Sequence, residues 1–244
     1  MSYLVCIDPG HAKNTAGKRS FDEKLREYKF NRHVAKRIVY HLERHGVKTM
    51  YSCNISSNAD ASLSSRCKKA NDARADIYVS IHANAYGEDW NEANGWEVFY
   101  CKGSEKGKKL ADHISAASIP YLGLRDRGVK VTSEFTVLVK TTMPAVLIEH
   151  AFYTNKEECA LLLSNEFREK CAIADAKGVL AYFGIAWKEE NENNEPHWAQ
   201  EYLDYLTGQG IIENPEAWTD FDGAVSRGAV LALIAKLHKS KKIS

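Results

Sequence analysis

Polar side chains that could bind a metal or move a proton follow segments with the pattern of a buried β-strand. His11 comes after the first such segment, Tyr3–Ile7, through an Asp-Pro-Gly turn. His82 and Glu149 each end a later apolar segment. Because open α/β sheets bind ligands outside the carboxyl ends of their strands, we expect these three side chains to converge on one rim.

A fourth polar side chain, Glu27, precedes the helical pattern Tyr28–Gly46, whose N-terminus faces the same rim in a strand-loop-helix crossover. Two imidazoles and one carboxylate match the ligand set of catalytic zinc sites, which leave a fourth position for water. Glu149 then remains as a base for the attacking water. Its neighbour His150 points to the opposite face of a continuous strand, so the pattern alone leaves either residue as the site residue.

Alternating strand and helix patterns must position these side chains. The strand patterns are Tyr3–Ile7, Val47–Tyr51, Ile77–His82, Trp96–Tyr100, Val137–Lys140 and Ala145–Glu149. The helix patterns are Tyr28–Gly46, Ser62–Ala75, Ser104–Ser118, Lys156–Ser164 and Glu166–Gly184. This alternation predicts an α/β fold with a mainly parallel twisted sheet of about six strands, flanked by helices.

The composition changes abruptly after Trp187. Residues 188–195 are polar and precede a proline, which predicts a linker between a catalytic domain, 1–187, and a small helical domain, 196–244. A piece of about 48 residues folds only marginally alone. We therefore expect it to dock on the first domain, on a partner, or on a second copy of itself.

Composition limits the possible partners. The 33 basic and 32 acidic side chains leave a net charge of +1, which gives no general attraction to nucleic acid. No apolar run approaches the roughly 20 residues that span a bilayer, so we expect no membrane insertion. The first residues continue directly into a strand pattern without a secretion signal. We expect synthesis in the cytoplasm, with any action outside the cell following release.

Ordered motifs extend this interpretation over most of the first domain. They are Cys6–His11, Glu27 before Asn31, Leu63–Arg66 with Ala70–Asn71, Asp76–Asn84, Gly95–Tyr100, Arg127–Lys130 and Met143–Phe152. Over residues 3–184 the sequence resembles the zinc-dependent N-acetylmuramoyl-L-alanine amidases of bacterial autolysins, sporulation hydrolases and phage endolysins. Two departures from the usual pattern are visible: Ala12-Lys13 replaces a Gly-rich continuation, and Ala151 stands where Gly is frequent.

The resemblance implies specific roles. His11, Glu27 and His82 would bind zinc, and Glu149 would be the catalytic carboxylate. The substrate would be bacterial peptidoglycan, cut between N-acetylmuramic acid and the L-alanine of the stem peptide.

The resemblance also suggests Asn84, Arg66 and Asn71 as substrate contacts. Their residue types equally fit a turn after a strand for Asn84, and a helix surface or cap for Arg66 and Asn71.

Further alternatives remain open at this point. The C-terminal segment is weakly similar to an S-layer-homology-like repeat, which favours wall targeting over a docking or oligomerisation helix pair. Delivery without a signal favours a phage or prophage endolysin. A zinc peptidase cutting within the stem peptide and a non-catalytic wall-binding module are the competing functions.

Overall fold

The computed structural model describes residues 3–189, 200–208 and 211–212. The chain divides into two compact units, Met1–Lys188 and Glu189–Ser244. In the second unit, residues Gln200–Gly208 form a helix within the predicted small helical domain, and most of the rest of that domain lies outside the described residues. Among the residues described, no helix is both long and apolar enough to cross a lipid bilayer.

A six-stranded mixed sheet forms the centre of the first unit. Its strands are β1 Leu4–Pro9, β2 Lys48–Tyr51, β3 Ile77–Asn84, β4 Trp96–Cys101, β5 Asp126–Thr132 and β6 Ala145–Phe152. They lie in the order β2-β1-β3-β6-β4-β5. Every neighbouring pair is parallel except β4 and β6. The predicted α/β class with a mainly parallel sheet is confirmed.

Helices cover both faces of this sheet. They are α1 Glu27–Glu43, α2 Leu63–Asp72, α3 Glu105–Leu122, α4 Thr136–Val139, α5 Lys156–Leu163 and α6 Asn165–Phe183. Alternate residues of β3 separate two cores: Ile77 and Val79 pack with α1, α3 and α6, whereas Tyr78 packs with α2 and α4. The sheet is therefore buried on both sides, and its free rim is left for chemistry.

One predicted strand is wrong and one strand was not predicted. Residues Val137–Lys140 do not form a strand, because α4 is a short helix there whose consecutive residues Val137 and Leu138 enter the same core. A run of β-branched residues this short cannot distinguish a strand from a helical turn. The strand that was not predicted is β5, at the edge of the sheet, which Gly128 interrupts. Most side chains of β5 are half-exposed, so the sequence shows no apolar run there.

Candidate metal centre

The first metal-ligand candidate stands on a short turn after β1. Gly10 donates its N–H to the carbonyl of Ile81 at 3.0 Å, which ties the turn to β3. A Cβ atom built on Gly10 would meet the imidazole of His82 at 2.1 Å, so only glycine allows this approach. His11 follows with φ of 61°, a left-handed conformation that is rare outside glycine.

Glu27 lies between the two histidines. It is the first residue of α1, where the helix dipole favours a negative charge, and it is 1% exposed. Its Oε1 atom accepts hydrogen bonds at 3.1 Å from Nδ1 of His82 and at 3.2 Å from the N–H of Ala83. Its Oε2 atom lies 3.4 Å from Nε2 of His11. The potential ligand atoms of these three side chains all lie within 4.8 Å of one another.

These residues fit a metal ion. Oε2 of Glu27 is buried and has no hydrogen-bond partner among the described residues, which is costly for a carboxylate oxygen. Two imidazoles and a carboxylate are donors that zinc prefers. In the described part of the chain, no other group of three histidine, cysteine or acidic side chains has this spacing.

The electrostatics place two of the three candidate ligands, His11 and Glu27, in ligand form, whereas the pKa of His82 is raised, because its hydrogen bond to Glu27 and the charges of Glu149 and Glu27 outweigh burial. Burial lowers the pKa of His11 to about 4, which leaves the imidazole neutral near pH 7. Burial acts to raise the pKa of Glu27, but the hydrogen bond and charge of His82 lower it overall. Metal ligation requires neutral imidazole and ionised carboxylate, so His11 and Glu27 need no proton release to bind a cation.

Glu149 adjoins this group from β6. It pairs in register with His82 on β3 and with Glu97 on β4, so all three side chains share one face of the sheet. Its Oε2 atom is buried and has no hydrogen-bond partner among the described residues. Burial raises the pKa of Glu149 to about 7 against the opposing charge of His82. A carboxyl with such a pKa can both accept and donate a proton near neutral pH.

The structure also decides between Glu149 and His150, which the sequence pattern left open as the site residue. Glu149 lines a cleft of about 220 Å³ together with His11 and His82. His150 points to the opposite face, where its Nε2 atom lies 2.9 Å from Oδ2 of Asp175 and both side chains are fully buried. Nδ1 of His150 lies 3.0 Å from the carbonyl oxygen of His82.

The three expected substrate contacts lie in different places. Asn84, at the end of β3, donates from Nδ2 to Glu97 at 2.7 Å. Arg66 lines the cleft but is only 2% exposed, which excludes the alternative of a helix-surface position, and its role as a substrate contact stays a prediction. Asn71 donates to the carbonyl of Lys140 at 2.9 Å, near the segment that leads into the amino end of β6. Asn71 therefore lies near the end of the sheet at which β6 begins, opposite the end that carries the metal group.

Asn31 is a site residue whose role sequence reasoning did not assign. Its Nδ2 atom donates to the carbonyl of Gly10 at 2.9 Å and to Oε1 of Glu27 at 3.3 Å. The side chain is fully buried and ties the turn before His11 to the carboxylate of Glu27. The signal was present, because residues four apart on a helix lie on the same face.

Comparison with known proteins agrees with this geometry. A family profile described as N-acetylmuramoyl-L-alanine amidase matches residues 5–181. The chain is 36% identical over 181 residues to the N-acetylmuramoyl-L-alanine amidase LytC of Bacillus subtilis strain 168, which covers 73% of this chain and 35% of that protein. It is 32% identical over 199 residues to the endolysin of Bacillus phage SPP1, covering 77% of this chain and 69% of that protein.

A solved structure shares the fold. The catalytic domain of CwlV, an N-acetylmuramoyl-L-alanine amidase from Bacillus (Paenibacillus) polymyxa var. colistinus, superposes with a TM-score of 0.69 at 30% sequence identity. The match covers 75% of this chain and 99% of that domain. The chain thus matches about a third of the full length of LytC but nearly all of an isolated catalytic domain. The segment after residue 181 lies beyond the family profile, so its resemblance to an S-layer-homology-like repeat stays a prediction.

Proposed function

This chain belongs to the N-acetylmuramoyl-L-alanine amidase family, and from that premise we propose that it hydrolyses peptidoglycan at the amide between N-acetylmuramic acid and the L-alanine of the stem peptide. The observation that carries this proposal is the group of His11, Glu27 and His82, whose ligand atoms lie within 4.8 Å of one another beside a buried carboxyl. Amide hydrolysis needs an activated carbonyl, a nucleophilic water and a proton carrier.

We assign the metal-binding role to His11, Glu27 and His82, which would hold zinc. Bound zinc supplies a Lewis acid that polarises the amide carbonyl and activates water as a nucleophile at neutral pH. The residues around these ligands restrict their movement. Oε1 of Glu27 is fixed by three hydrogen bonds, from His82, from the N–H of Ala83 and from Asn31.

Glu149 is assigned as the proton carrier. Its ionised form takes the proton of the attacking water on Oε2, the oxygen without a partner. Its protonated form then gives that proton to the nitrogen of the departing L-alanine. Because burial holds the pKa of Glu149 at about 7, neither direction of transfer is strongly unfavourable near neutral pH.

The test is digestion of purified peptidoglycan by the full chain, with labelling of new amino termini and mass spectrometry of the products. We expect new L-alanine amino termini, which Glu149→Ala should abolish and the exposed variant Glu88→Ala should leave unchanged. New termini only at other residues of the stem peptide would contradict the amidase proposal and favour a zinc peptidase. Binding to wall fragments without any new termini would favour a non-catalytic binding module.

For the biological setting, an endolysin encoded by a phage or prophage and released from the cytoplasm through membrane lesions is proposed. Its support is the 32% identity to the endolysin of Bacillus phage SPP1. The C-terminal segment is assigned to wall targeting, and self-association is the alternative. Cells of a susceptible host that express the chain should lyse after their membrane is permeabilised and not before. Lysis without permeabilisation would contradict this route of delivery.

A further inference from the structure

A chain of hydrogen bonds starts in the sheet and leads towards the turn that carries His11. Asp8, at the end of β1, is 2% exposed and accepts hydrogen bonds from the hydroxyls of Ser52 and Ser80. Arg66 donates from Nη1 to Asp8 at 2.6 Å and to the carbonyl of Pro9 at 2.9 Å. These buried groups form a rigid support for the turn, because each charge is paired and hydrogen-bonded.

The series of hydrogen bonds continues through two residues on the loops beside the cleft. Arg66 donates from Nη2 to Oδ1 of Asp60 at 2.7 Å. Thr15 donates its hydroxyl to Oδ2 of Asp60 at 2.6 Å, and the same hydroxyl accepts the N–H of Ala12 at 2.9 Å. Asp60 therefore fixes the direction of the Thr15 hydroxyl, which in turn holds the amide directly after His11.

Both peptide units that flank His11 are held. Asn31 holds the preceding unit through the carbonyl of Gly10, and Thr15 holds the following unit through the N–H of Ala12. The left-handed backbone of His11 is unfavourable for a residue with a Cβ atom and persists only where the surroundings maintain it. The two hydrogen bonds provide that constraint, since together they fix φ and ψ of this residue.

We infer that Thr15 and Asp60 are positioning residues for the metal ligand His11. The inference rests on the proposed zinc site, and it assigns neither residue any contact with metal or substrate. Without the Thr15 hydroxyl, the turn is free to leave the left-handed conformation, and the imidazole of His11 moves away from Glu27. Loss of such supporting contacts typically weakens metal binding by about 10 to 100-fold.

The test measures zinc affinity of the full chain by competition with a chromophoric chelator. Thr15→Val keeps the side-chain shape and should weaken zinc binding by about 10-fold or more. Thr15→Ser restores the hydroxyl and should return the affinity to nearly the wild-type value. Thr49→Val is the matched control, because the hydroxyl of Thr49 also donates to a carboxylate, that of Glu43, at the opposite end of α1 from Glu27.

Zinc affinity distinguishes a positioning role of Thr15 from a general contribution to stability. A variant that loses a single hydrogen bond stays almost fully folded, so destabilisation alone leaves zinc affinity unchanged. Wild-type affinity in Thr15→Val, an equal loss in Thr49→Val, or no recovery in Thr15→Ser would overturn the inference. A wild-type chain that binds no zinc would instead overturn the proposed function on which the inference rests.

Discussion

The close approach of Gly10 to His82 makes a single methyl group a sensitive probe of the metal centre. In Gly10→Ala the new Cβ would lie 2.1 Å from Cε1 and 2.4 Å from Nε2 of His82. The imidazole would have to move by about 1.3 Å to reach an ordinary contact. Metal-ligand distances tolerate only about 0.2 Å of variation, so we expect His82 to be lost as a ligand.

The expected result is zinc binding weaker by more than about 100-fold, since loss of a direct ligand exceeds the effect of losing a supporting contact. The backbone of Gly10 lies outside the left-handed region, so alanine adds no conformational strain of its own. Competition titration with a chelator measures the affinity, and thermal unfolding without metal reports the fold. Gly208→Ala is the control, because an added Cβ there meets no atom of the described residues within 4 Å. Wild-type zinc affinity in Gly10→Ala would refute the assignment of His82.

Three further predictions follow from other buried or paired groups. Glu149→Gln should retain zinc and lower turnover by about 100-fold or more, and near-normal turnover would exclude Glu149 as the proton carrier. Glu169 is half-buried and lies against His41, and its pKa is lowered to about 2 because hydrogen bonds from His41 and Arg37 outweigh burial. Its contribution to stability is complete above pH 4.5 and is lost as the pH falls towards 2. In urea titrations, acidification should therefore lower the free energy of unfolding of Glu169→Gln by about 1 kcal/mol less than that of the wild type. Identical pH profiles of the two proteins would contradict this. Asp175→Asn should lower the free energy of unfolding by about 3 kcal/mol, because it leaves buried His150 without its carboxylate, and an unchanged urea midpoint would contradict that pairing.

The sequence predicts those parts of the fold in which a single segment determines the outcome. The strand Ile77–Asn84 carries an apolar run because the sheet is buried on both sides, and the helix that begins at Glu27 carries helical periodicity because only one of its faces is buried. Thr136–Val139 and the edge strand Asp126–Thr132 do not, because neighbouring elements determine their conformation. Local propensity is a weak guide wherever tertiary contacts decide.

The same distinction applies to the candidate site. Parallel-sheet geometry predicts that His11, His82 and Glu149 meet on one rim, and the structure brings them there beside Glu27. The burial of Arg66 against Asp8 and Asp60 could not be predicted, since these partners are 58 and 6 residues away along the chain and neither carries a spacing pattern. Their pairing is decided by how α2 and the loop before it pack against the end of β1.

Zinc-edge anomalous diffraction from crystals of the zinc-loaded chain tests the central proposal most directly. We expect one anomalous peak at about 2.0–2.2 Å from ligand atoms of His11, Glu27 and His82. The carboxyl of Glu149 should face the remaining coordination position. A peak bonded to other residues, or crystals in which these three side chains bind no ion at saturating zinc, would contradict the account.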